Sequence, residues 1–204
     1  MSKLLILYLL IFPFCCFAQI QIPEGFVELK KSNGETILPV HFLFDSDDVK
    51  DEAVIVKGKE NPSFHIKLLI YLSSQDKQYE IDLENDTFQN FPLPLETKMN
   101  VLIFSFGMDN SATCRDLKLR YNEDTKKIRM IGIDAYYRAT NYCWNFSYNL
   151  LTGKHITTKT SYENYPKETV TAKSGNTKSK PLFVEDINYV LFNKFDEMGN
   201  CENW

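Results

Sequence analysis

Apolar side chains recur at every second position along much of this chain. Leu117, Leu119 and Tyr121 alternate with polar residues, and so do Trp144, Phe146, Tyr148 and Leu150. Successive side chains of an extended strand point to opposite faces, so this period sets one row against a core and the other in solvent. Phe64 to Leu72 is instead a nearly continuous apolar run, as expected of a strand buried on both faces.

Turn residues separate these runs at hairpin spacing. Ser32-Asn33-Gly34-Glu35 lies between Phe26 to Lys30 and Thr36 to Leu43, and Asn-Gly tolerates the positive φ of a two-residue hairpin turn. Ser73-Ser74-Gln75-Asp76, Asn122-Glu123-Asp124 and Thr152-Gly153-Lys154 punctuate later strands, with further strands expected at Ala53 to Val56, Tyr79 to Leu83, Val101 to Phe106, Ile128 to Ile133 and His155 to Thr160. The expected fold is therefore all-β, an antiparallel meander forming propeller-blade-like or sandwiched sheets.

Two segments depart from that pattern. Residues 167 to 180 carry almost nothing to bury and read as a flexible loop. After Pro181, Val184, Ile187, Val190, Leu191 and Phe195 fall near helical spacing, so a short C-terminal helix is expected, with a strand at Tyr189 to Phe192 as the alternative. Gly199-Asn200 ends that element.

The first 18 residues read as a secretory signal rather than as part of a fold. Lys3 is their only charge, Leu4 to Phe12 is apolar, and Cys16 and Ala18 supply small residues for a cut before Gln19. A lipoprotein signal and an uncleaved anchor are the competing readings. The triplets preceding Cys15 and Cys16 lack the small residues of a lipid-attachment site. Removing 18 residues and one lysine from a chain of 204 at net charge -4 leaves 186 residues at -5, one β-rich domain spanning 19 to 204. No later apolar run is long enough for a transmembrane helix, and the acidic balance argues against nucleic acid as a partner. The expected location is periplasmic or extracellular.

Five cysteines fall to three in the mature chain: Cys114, Cys143 and Cys201. They allow three alternative single disulfides and no scaffold of several. The sequence holds no CxxC, HxxxH, GxSxG, GxGxxG or HExxH spacing. Ser74-Gln75-Asp76-Lys77 matches an SxxK spacing but lies in a turn rather than at a helix start. His41, His65 and His155 are the only histidines, and His65 falls in an expected core strand.

Calcium takes six to eight oxygens, commonly from alternating carboxylates around a glycine turn. The loop from Asp45 to Glu52 supplies Asp45, Asp47, Asp48 and Asp51 as candidate ligands, without the glycine and with Lys50 among them. A solvated acidic turn is the alternative. The stretch Ile22-Pro23-Glu24-Gly25-Phe26, the acidic loop with the strand Ala53 to Val56, and the segments Ile128 to Asp134 and Asn149 to Lys154 together resemble secreted bacterial proteins with FG-GAP/VCBS-like repeats, integrin-alpha-N-terminal-like proteins in which an Asp-rich loop leads into a hydrophobic strand. The loop here is one residue shorter than theirs. The resemblance implies one or two blade-like sheets, a calcium role for the four aspartates, and no enzymatic activity.

Charge divides the chain unevenly. Residues 45 to 99 hold 12 acidic and 6 basic side chains, whereas 151 to 181 hold 6 lysines and 2 glutamates. Tyr136, Tyr137, Tyr142 and Trp144 cluster within nine residues, a composition suited to an interaction surface as well as to a core. The function expected is an exported, non-enzymatic interaction module for a protein or glycan, one version being an immunity protein that neutralises a toxin. The alternative is a secreted hydrolase or lyase acting on envelope polymers through paired carboxylates such as Asp45 and Asp134.

Overall fold

The computed structural model describes residues 20–30, 33–62, 64–84, 90–108, 113–164 and 167–200. Residues 1 to 18, expected as a secretory signal, and Cys201 lie outside the described residues. The chain forms two antiparallel sheets and one C-terminal helix.

The first sheet contains β1 (Phe26–Glu28), β2 (Val40–Phe42), β3 (Asp51–Gly58), β4 (His65–Leu72) and β5 (Lys77–Glu84). Its order is β1-β3-β4-β5, with β2 also on β3: β1 faces Val56 to Gly58 and β2 faces Asp51 to Ala53. The turn at Asn33-Gly34 therefore does not join a long hairpin. Gly34 takes its positive φ of 86°, but the flanks meet in one bridge, Lys30 to Thr36, because β3 captures both neighbouring strands.

In β4 the inward row Ile66, Leu68, Ile70 and Leu72 is fully buried, as the apolar run requires. Its other face is covered too. Leu69 packs with Val54 and Val56 of β3 beneath Ile20 and Phe26, so the segment leading into β1 lies across the outside of the sheet. Gln21 and Gln78 fix that segment by exchanging backbone–amide hydrogen bonds of 2.9 Å.

The second sheet has nine strands. Two short ones, β6 (Asn90–Pro92) and β7 (Glu96–Lys98), pair with β8 (Val101–Met108). The sheet continues through β9 (Thr113–Asn122), β10 (Lys127–Arg138), β11 (Tyr142–Asn149), β12 (Lys154–Asn164) and β13 (Lys167–Asn176), while β14 (Leu182–Phe183) returns to pair with Arg129 and Met130 of β10. In β9 every second residue is buried, matching the period of two. The register in β10 shifts between Met130 and Gly132, a bulge that keeps both Met130 and Ile133 in the core.

One contiguous buried cluster draws on both sheets, from Ile55 and Leu68 in the first to Phe104, Leu117 and Phe146 in the second. Gln75, in a 3-10 turn between β4 and β5, bridges the sheets: its side-chain amide donates to Tyr121 Oη at 2.8 Å and its oxygen accepts from Tyr79 Oη at 2.8 Å.

Helix α1 (Tyr189–Gly199) starts at Asn188, whose side chain accepts the Leu191 amide at 3.0 Å. Its buried row is Phe192, Phe195 and Gly199, whereas Val190 is exposed. Phe192 packs 5.5 Å from Phe106 and Phe195 packs 5.7 Å from Tyr148. Gly199 lies so close to the sheet that a Cβ there would stand 2.9 Å from Phe146 Cγ. No helix among the described residues is long and apolar enough to cross a membrane.

Residues 167 to 176, expected as a loop, form β13 instead. Nine of its ten residues are exposed, so no apolar period marks it. Threonine and valine favour extended backbone, and pairing with β12 supplies the hydrogen bonds.

Candidate interaction surface

Cross-strand register assigns the larger sheet's side chains to its two faces. One row runs Phe106, Arg115, Ala135, Phe146 and Thr157, and α1 lies over it at Phe106, Arg115 and Phe146. Two residues further along β11 the same face carries Tyr137, Trp144, Lys159 and Thr171, one from each of β10 to β13. Tyr137 stacks on Trp144 at 5.7 Å and 25°, and Tyr142 packs beside Tyr137 at 6.4 Å. Lys159 Nζ stands 4.7 Å from the Tyr142 ring centre, a cation–π contact. Trp144 is 7% exposed and anchors the cluster in the core; Tyr137 and Tyr142 are half-buried at the surface.

Three of the four aromatic residues singled out in sequence thus converge. Tyr136 does not. It projects from the other face of β10, opposite Cys114 and Asn145. Lys159 and the threonine row of β12 and β13 complete the surface. Sequence reasoning missed the β13 threonines because that strand read as a loop, and Lys159 because only strand register brings it beside Tyr142.

The opposite face of the sheet is polar. Asp134 accepts from Lys118 Nζ at 2.5 Å and from Ser147 Oγ at 2.7 Å, and it faces Asp116 directly across the ladder. Beside Ser147 lies a shallow, open depression of about 640 Å³ lined by Asn149, Lys154, Ile156, Ser174 and Asn176.

The acidic loop sits at the start of β3, and its carboxylates bind the chain itself. Asp51 is fully buried and accepts from the Phe44 amide at 3.0 Å, the Ser73 amide at 2.9 Å and Ser73 Oγ at 3.1 Å. Burial pushes its carboxyl above the ordinary range. Asp45 accepts from the Asp47 amide at 3.2 Å and from Ser74 Oγ at 2.5 Å, while Asp47 accepts from the Val49 amide at 3.0 Å. Partial burial and the charges of Asp45 and Asp51 hold the Asp47 carboxyl up despite that amide hydrogen bond. Asp48 is exposed. Among the described residues no group of three or more His, Cys, Asp or Glu is placed to hold a metal ion.

The remaining polar residues are spread over the molecule. His41 is exposed on β2. His65 lies on the outer face of the first sheet, with Nε2 2.6 Å from Asp82 Oδ1 and its ring 4.7 Å from Phe26. Lys67 pairs with Asp82 at 2.8 Å in the same network. His155 packs edge-on to Tyr148 at 5.7 Å and covers Gly175. Ser74 and Lys77 are not partners: Lys77 Nζ stands over Tyr79 at 4.0 Å. Cys114 and Cys143 are free thiols, and burial raises the Cys114 thiol pKa, which disfavours the nucleophilic thiolate. Asp45 lies in the loop before β3 of the first sheet and Asp134 on β10 of the second, each bound to its own hydroxyl partner.

No family model, no curated protein and no solved structure matches the chain.

Proposed function

We propose that this chain is an exported, non-enzymatic interaction module that binds a protein partner on the Tyr137–Tyr142–Lys159 face of its larger sheet. One observation carries the reading: β13 is ten residues of ordered strand exposed along nearly its whole length. Ordering a backbone residue costs about 1–2 kcal/mol, and this strand buries almost no apolar surface in return. Its retention beside half-buried tyrosines and a lysine gives the surface an anchor and a polar rim. The leader-like segment 1 to 18 supports export.

The test is affinity capture from secreted and envelope fractions with the protein and with its Tyr142→Ala/Lys159→Ala variant. The expected result is a partner held by the parent and lost by the variant, compared at a temperature at which circular dichroism shows both to be folded. Equal capture by both overturns the reading.

A second reading, a hydrolase of envelope polymers, draws support from Asp116 and Asp134 facing each other beside the depression at Ser147. It requires polymer turnover by the protein that an Asp134→Asn variant loses; absence of turnover removes it.

A further inference from the structure

We propose that β13 is an acceptor edge, at which an extended acidic segment of a protein partner adds to the nine-stranded sheet as a tenth strand. The inference rests on the interaction-module reading and specifies how the partner is held.

The ladder fixes which backbone groups face outward. The Thr177 amide donates to the Gly153 carbonyl at 2.8 Å, and the Tyr162 amide donates to the Asn141 carbonyl at 2.7 Å. Hydrogen-bonded and non-hydrogen-bonded pairs alternate along an antiparallel ladder. Counting along the register from those two bonds, Thr169, Thr171, Lys173 and Gly175 turn their N–H and C=O toward β12. Glu168, Val170, Ala172 and Ser174 therefore present theirs at the free edge. Among the described residues no strand pairs there, and the segment contains no proline to interrupt a new ladder.

The side chains select the occupant. Lys167, Thr169, Thr171 and Lys173 share one face, while Val170, 62% exposed, shares the other with Ala172. The two lysines stand at positions where an incoming strand's Cα comes within about 4.5 Å, the closer of the two cross-strand spacings. Carboxylates six residues apart on that strand meet both. The 6 lysines and 2 glutamates of residues 151 to 181 add a field that steers an acidic chain to this end of the molecule.

Two-fold pairing with a second copy centred on Val170 sets Lys167 against Lys173, like charges directly opposite, while pairing centred on Ala172 sets Lys173 against Thr171 and gains no ion pair. An acidic strand gains both ion pairs, so the lysines reward it over a second copy.

The probe is a synthetic peptide reading Glu-Val-Thr-Val-Thr-Lys-Glu, capped at both ends and added at millimolar concentration to the isotope-labelled protein. Amide exchange at Val170, Ala172 and Ser174 is expected to slow by about tenfold or more, with little change for the same peptide carrying lysine in place of both glutamates. Val170→Pro removes an outward-facing N–H without touching the β12 ladder. It is expected to abolish the effect while β12 amides keep their protection.

Unchanged exchange at the three residues, equal action of both peptides, or undiminished peptide binding by the Val170→Pro variant each overturns strand addition. Protection that instead grows with protein concentration in the absence of peptide makes the occupant a second copy and also overturns it. Loss of the captured partner by the Tyr142→Ala/Lys159→Ala variant reports on the interaction surface alone, so the two proposals fail separately.

Discussion

The guanidinium of Arg115 in β9 meets the carboxylate of Asp196 in α1 at 2.5 Å, across an interface otherwise built of aromatic rings. Arg115 is 5% exposed at its side chain and lies 5.8 Å from the Phe192 ring centre. The pair adds a polar contact to the packing of Phe192, Phe195 and Gly199 that sets where the helix sits along the sheet.

Asp196→Ala is accordingly expected to cost about 2–3 kcal/mol, because a buried guanidinium loses its carboxylate. Arg115→Met replaces the charge with apolar volume and is expected to cost less, about 1 kcal/mol or nothing. Urea midpoints compare the two; equal losses would show that packing rather than charge positions the helix.

Asp51 gives the protein an inverted pH response at one site. Its folded-state carboxyl pKa is raised, chiefly by burial. The stability tied to this group is therefore fully present below the ordinary carboxylate range and is lost as pH rises through the raised value. Asp51→Asn should remove that component, so the advantage of the parent over the variant shrinks upward from about pH 4. Asp51→Ala should be less stable than Asp51→Asn by about 1–3 kcal/mol, a margin that does not change with pH because neither variant titrates there and alanine strands the Phe44 and Ser73 amides. A parent-minus-Asn difference that is flat with pH would contradict the assignment.

Gly199→Ala introduces a Cβ 2.9 Å from Phe146 Cγ and 3.0 Å from its Cβ, atoms at the root of the side chain that cannot swing away. The helix end must lift, at a cost of about 1–3 kcal/mol. Near-ultraviolet circular dichroism of the Phe195–Tyr148 contact should change with the thermal midpoint; a variant as stable as the parent would show that the approach is not tight.

Phe26→Ala opens the outer face of the first sheet. The ring covers Val54, Val56 and Leu69, and it touches His65 and Lys67. The expected loss is about 2 kcal/mol, below a core phenylalanine because Phe26 is only half-buried. Hydrogen exchange should quicken in β1 and β3 and stay unchanged in β9 to β11. Uniform acceleration would mean that the two sheets open together.

The strands legible in sequence were those that bury one row of side chains. Leu117, Leu119 and Tyr121, like Trp144, Phe146 and Tyr148, announce both the strand and the face that meets the core. β4 was legible for the opposite reason, apolar on both sides because Ile20 and Phe26 cover its back. β13 was not legible, since a strand without burial leaves no hydrophobic period, and its lysines and threonines read as a loop. The aromatic cluster was half legible. Proximity in sequence joined Tyr136 to Tyr137, yet adjacent residues on a strand face opposite ways. Lys159 and Thr171 entered only through register, which no local pattern encodes.

The sheets divide the sequence cleanly: every strand before Glu84 belongs to the first, and every strand from Asn90 onward belongs to the second. Their strands are joined mostly as neighbours in order, so each meander can zip locally before the shared cluster of Ile55, Leu68, Phe104 and Leu117 closes between them. A chain so arranged is expected to behave as two complementary fragments held by one covalent crossing. Cutting that crossing should leave pieces that recombine, with the Gln75–Tyr121 latch as their docking mark.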